Sequence, residues 1–80
     1  MDDALIAELV SEAGATAMAF VGMPEQQMLA ALYDIREAMK VRLAPILPVD
    51  VATLAAEAFV FAIAKCRAAL EADLQRGTLQ

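Results

Sequence analysis

Six carboxylates stand in the first 35 residues: Asp2, Asp3, Glu8, Glu12, Glu25 and Asp34. No lysine or arginine is among them, and the first base is Arg36. Glu8 and Glu12 are four apart, so a helix sets both on one face, where they repel by about 0.2–0.5 kcal/mol. Such a group suits electrostatic docking of a partner's lysines and arginines. It suits catalysis poorly. The chain has no histidine, so it lacks the commonest general base and metal ligand. Ser11 is the only serine and lacks both an obvious base and the Asp-Ser-Leu context of an acyl carrier. Gly14, Gly22 and Gly77 are too far apart for a phosphate-binding loop. Cys66 is a lone cysteine, which excludes an intrachain disulfide and falls short of a zinc set. The Glu-x-x-His pattern of carboxylate-bridged metal bundles is absent. We therefore expect no catalytic residues, no metal and no cofactor.

The rest of the chain is nearly balanced in charge, so the net −5 comes from the first half. The basic residues Arg36, Lys40, Arg42, Lys65, Arg67 and Arg76 form no sustained run. With a sequence pI near 4.4, direct binding to a phosphate backbone is not expected. The composition is 61% hydrophobic, with a mean hydropathy of +0.59. Of the 80 residues 19 are alanine, an excellent helix former that adds little burial energy. A domain this short buries only roughly 60% of the surface its unfolded chain exposes. More apolar surface remains than a lone small bundle hides, so self-association or a permanent partner is expected. The longest uninterrupted apolar run, Ala58 to Ala64, is seven residues, far from the roughly 20 that span a bilayer. The N-terminus lacks the basic start and cleavage site of a signal peptide. These features and the single thiol lead us to expect a reducing cytoplasm and no membrane contact.

The elements that carry these residues follow from apolar spacing. The fold class expected is all-α: one domain over 1–80, a compact three-helix bundle with a long C-terminal helix. The first helix is predicted at about 2–21. Its stripe is Ile6, Leu9, Val10, Ala13, Ala17, Phe20 and Val21. Asp2 and Asp3 sit at its positive dipole end, Gly22 stops it, and Gly14 is expected to mark a close helix approach. The second helix, about 24–43, opens at Pro24. It buries Met28, Leu32, Ile35, Met39 and Leu43, pairs Glu37 with Lys40 and ends before Pro45. The third, about 50–76, starts from Asp50 as N-cap, stops at Gly77 and leaves 78–80 to fray. It carries two apolar faces. One is Ala52, Ala56, Phe59, Ile63, Cys66, Leu70 and Leu74, a helix–helix seam in which Cys66 reads as a buried small hydrophobe. The other, nearly opposite, is Leu54, Ala58 and Phe61, with Val60 between the two. A helix apolar most of the way round is central or shared between subunits.

Three remaining side-chain types have plain readings. Tyr33 flanks the core as an edge residue or an interface anchor. Arg36 lays its stem on apolar surface or reaches a carboxylate on another helix. The methionines fill gaps.

A small acidic chain with Glu8 and Glu12 on a short helix and no reactive set resembles the phage-encoded anti-CRISPR inhibitors. That resemblance rests on size, acidity and absent chemistry over the whole chain, with no shared motif. It implies a non-catalytic inhibitor whose acidic face (Asp2, Asp3, Glu8, Glu12, Glu25, Asp34) occupies a basic, nucleic-acid-binding surface of another protein. The residues themselves also admit a self-assembling helical adaptor. It would be a homodimer closed through the seam of Phe59, Ile63, Cys66 and Leu70, or through Leu54, Phe61 and Val60. A third reading is a carrier of apolar ligands between helices.

Overall fold

The computed structural model describes residues 2–79, with side-chain environments for 2–77. Three helices make up the fold: α1 (Asp3–Phe20), α2 (Glu25–Leu43) and α3 (Val49–Leu79). No strand occurs among the described residues. α1 and α2 each lie against α3 and touch one another little. α1 and α3 run in the same direction: Ile6 shares a groove with Ala55 and Ala58, and Val21 shares one with Leu70 and Leu74. α2 runs the other way, bringing Arg42 near its end to Glu8 and Glu12 near the start of α1. The molecule measures 48 × 27 × 15 Å. Its long dimension is that of α3, whose 31 residues span about 46 Å.

Each boundary has a local cause. Asp2 caps α1, its Oδ1 accepting the Ala4 N–H at 3.1 Å. The chain then turns through Phe20–Met23. Val21 has φ −61° and ψ 130°, Gly22 has φ +85°, and the Met23 N–H donates to the Phe20 carbonyl at 3.1 Å. This is a type II turn, whose third residue requires a left-handed φ, so the glycine is demanded there. α2 follows Pro24 and ends at Leu43, as the spacing predicts. The cause of that end differs from expectation. Ala44, although it precedes Pro45, keeps helical angles (φ −54°, ψ −39°) and donates to the Lys40 carbonyl. What stops the helix is the missing N–H and the ring of Pro45 itself.

α3 begins one residue before Asp50, with the Ala52 N–H bonded to the Pro48 carbonyl at 2.8 Å. Asp50 lies inside the first turn and accepts the Val51 N–H. Gly77 does not stop the helix, which runs to Leu79. Nothing packs there to impose a left-handed residue. The frayed 78–80 tail is therefore helical through 79, and Gln80 lies outside the described residues. Gly14 marks no close approach: a Cβ built on it meets nothing within 4 Å.

The core is Leu9, Ala13 and Ala17 of α1, Met28, Leu32, Met39 and Leu43 of α2, and Ala52, Ala56, Phe59 and Ile63 of α3. The second stripe is therefore the one expected, with Ile35 packed at its edge. The first is narrower than expected, because Ile6 and Val10 are exposed. In the third helix the seam is buried as far as Ile63 and half-buried again at Leu70. Cys66 is exposed, correcting its reading as a buried hydrophobe, and Leu74 is exposed as well. Cys66 falls to one side of the line through Ile63 and Leu70 that packs on the core, and Leu74 lies where that contact ends.

Candidate functional site

The acidic residues are not one surface. Glu8 and Glu12 both reach Arg42, through different nitrogens of its guanidinium. The Arg42 Nη1 donates to both Glu12 oxygens at 2.8 and 2.9 Å, and Nη2 stands 3.5 Å from Glu8. The hydrogen bond to Glu12, then its charge, then that of Glu8 hold the Arg42 guanidinium above its ordinary pKa; the slight burial opposes them. The pair that sequence spacing marks as a docking patch is thus partly neutralised by an arginine 30 positions downstream of Glu12. Asp2 and Asp3 stand at the same end of the bundle. Glu25 opens α2 at the other end, and Asp34 lies exposed along α2. At the acidic end, Asp2 and Glu8 border a hollow whose apolar side is Leu5, Ile46 and Leu47.

Charge elsewhere is also tied up in clasps. Arg36 reaches Glu37 at 2.7 Å and Glu57 of α3 at 3.1 Å. This is the interhelical bridge left open in the sequence. Glu37 also takes Lys40 at 3.5 Å, the expected one-turn pair. Sequence reasoning missed Arg67. Its side chain is 11% exposed, and it holds the α1–α2 turn. Nε donates to the Phe20 carbonyl at 3.0 Å, Nη2 to the Met23 carbonyl, and Nη1 to the Met28 sulfur at 2.9 Å. Glu71, one helical turn on, pairs with Arg67 at 3.2 Å and accepts the Gly22 N–H at 3.2 Å. The only sequence signal was an Arg and a Glu four apart, a spacing common on solvated helix faces. Its tertiary use was not readable.

The proposed self-association residues also divide. Phe59 is 6% exposed and Ile63 0%; both lie in the chain's own core and are withdrawn from any interface. α1 and α2 fill the seam that a second copy would otherwise occupy. Val60 and Leu70 are half-buried against that core. Leu54 and Phe61, on the back of α3, are 66% and 64% exposed. Beside them runs a groove of about 160 Å³, lined by Ile6, Leu9, Val10 and Ala13 of α1 and by Ala55, Ala58, Phe59 and Ala62 of α3. Ile6 and Val10 are open to solvent along its α1 wall. The groove is floored by alanines because small residues on α3 leave room between the two helices. No charged side chain lines it.

Tyrosine and the methionines complete the account. Tyr33 is exposed on α2. Met28 and Met39 are core residues, as their gap-filling reading required, while Met18 is exposed. Among the described residues no group of three or more carboxylate or thiol side chains is placed to hold a metal ion. No helix is long and apolar enough to cross a membrane. Comparison with family models, with curated proteins and with solved structures finds no match.

Proposed function

We propose that this chain works without catalysis, as a helical module that binds other polypeptides through the apolar face shared by α1 and α3. The observation that carries this reading is the segregation of that face. Ile6, Val10, Leu54 and Phe61 stand exposed around an uncharged groove. The interhelical ion pairs of the described residues all lie on α2. Contiguous apolar surface away from the charges is the usual mark of a protein-contact site. The groove is too small and too open to hold an apolar ligand, since ligand pockets run to about 300–1,000 Å³. The exposed lone thiol of Cys66 is compatible with a reducing cytoplasm as the working compartment.

The hollow at the acidic end favours a second reading. Asp2 and Glu8 flank Leu5, Ile46 and Leu47, an arrangement that accepts the apolar stem and charged head of a partner's lysine or arginine. In that reading the chain is the inhibitor that its size and acidity resemble, covering a basic, nucleic-acid-binding surface.

Affinity capture with the purified chain separates the two. Under the first reading, Leu54→Glu loses whatever the wild type retains, and Glu8→Lys keeps it. Retention by Leu54→Glu with loss in Glu8→Lys replaces the first reading with the second. Helicity by circular dichroism is expected to be unchanged in both variants, since both side chains are exposed.

A further inference from the structure

We infer that the occupant of this face is a second copy of the chain, bound with its α3 antiparallel about a two-fold axis; the inference rests on the α1/α3 face being the working surface. The first support is spacing. Val51, Leu54, Ala58, Phe61 and Lys65 recur at alternating intervals of three and four on the back of α3, the pattern of a two-helix seam. Val51, Leu54 and Phe61 are all exposed. The inner stripe, Ala52, Ala56, Phe59 and Ile63, is already spent on α1 and α2. α3 thus carries two seams, of which the monomer closes one.

The second support is area. A compact chain of 8.5 kDa is expected to expose about 4,700 Å². This one exposes 5434 Å². The excess of roughly 700 Å² is close to the ~800 Å² each partner contributes to a standard interface.

The third support is complementarity. An antiparallel pairing that uses the apolar positions and keeps Lys65 out of the layers sets Leu54 level with the partner's Ala58 and Phe61 level with the partner's Val51. Large then meets small, and the reciprocal contacts follow from the two-fold. The partner's Leu54 enters the mouth of the groove at Ala55, Ala58 and Ala62, where alanine leaves the space. The same register brings Lys65, whose ammonium lies 5.4 Å from the centre of the Phe61 ring, toward the partner's Asp50. Each chain carries a net −5. Association must therefore use a face where carboxylates do not oppose one another. Glu57, which flanks the seam, is drawn toward α2 by Arg36.

Sedimentation of the full chain at up to about 200 µM tests this, because a dimer's population depends on concentration. The wild type is expected at twice 8.5 kDa. Leu54→Glu and Phe61→Glu are each expected to weaken association by about 100-fold or more, since a two-fold applies every change twice. Helicity should be retained. Lys65→Glu alone and Asp50→Lys alone should weaken it by about 3–10-fold, and the double variant should recover most of the loss. Any cost of Asp50→Lys to the start of α3 is common to the single and double variants, so recovery isolates the contact between copies.

A monomeric wild type overturns the second copy and leaves the contact face to be tested against other proteins. A dimer untouched by Leu54→Glu and Phe61→Glu overturns the face itself, and the functional reading with it. Failure of the charge swap to recover association overturns the antiparallel register.

Discussion

On the α2 side of the bundle, helices are joined by guanidinium groups; on the opposite side, along the back of α3, none reaches. Arg36 spans to Glu57, Arg42 reaches Glu8 and Glu12, and Arg67 closes on the α1–α2 turn. From Val51 to Phe61 the outward stripe of α3 is apolar and uncovered. The two sides do different work. Charged hydrogen bonds are directional, so they hold each helix at one rotation and one height. Apolar surface is indifferent to direction, so a face without such bonds is free to take another surface. A small bundle that used clasps all round would be a closed object. This one is fixed on one side and open on the other.

The comparison predicts unequal costs for similar truncations in the same helix. Ile63→Ala, at a fully buried side chain, is expected to cost about 2–5 kcal/mol in denaturant unfolding. Phe61→Ala, two residues earlier, is expected to change the dissociated chain by less than about 0.5 kcal/mol. Equal costs would mean that the back of α3 is already covered within the monomer.

Arg67→Ala is the next largest. It removes the donors to the Phe20 and Met23 carbonyls and to the Met28 sulfur and leaves Glu71 without its ion pair, at about 1–3 kcal/mol by thermal or denaturant unfolding. Arg67→Lys should recover less than half, because one ammonium does not reproduce the planar fork.

Glycine substitutions sharpen the contrast between an open and a constrained backbone. Gly14→Ala meets empty space and should stabilise α1 by about 1 kcal/mol. Gly22→Ala, at φ +85°, should destabilise by about 1–2 kcal/mol. A gain at both would show that the turn does not need its left-handed residue.

The smallest effect is expected at the exposed Arg42 cluster. Arg42→Ala should lower the unfolding midpoint slightly in dilute buffer and not at all in about 1 M salt, where screening extends to roughly 3 Å. The sign with pH follows from the raised pKa of Arg42. Its contribution is present wherever the unfolded-state arginine is protonated and is lost only as pH rises through the folded-state value, in strong alkali. The Arg42→Ala difference should therefore not fade as pH is raised from neutrality to moderately alkaline values.

Much of the fold was legible because helical period and punctuation are local properties. Leu32, Met39 and Leu43 recur at intervals that leave α2 one inward face, and Gly22 and Pro45 end helices for reasons contained in their own covalent structure. Gly77 misled because a glycine permits a left-handed turn without requiring one. The candidate face was half legible. Leu54 and Phe61 were visible as a second stripe on α3, but Phe59 and Ile63 looked equally fit for a partner. Glu8 and Glu12 read as a free acidic patch because nothing in their neighbourhood announces Arg42.

From its residues alone the chain was bound to be helical, short of reactive side chains and richer in apolar surface than a small monomer readily covers. Those outcomes follow from side-chain type and short-range spacing, which any arrangement of the helices preserves. Which stripe of α3 became core and which stayed outside, and which carboxylates met an arginine, was decided only when α1 and α2 docked. Both stripes have the same period and similar side chains, and contacts between residues dozens of positions apart depend on where whole helices come to rest.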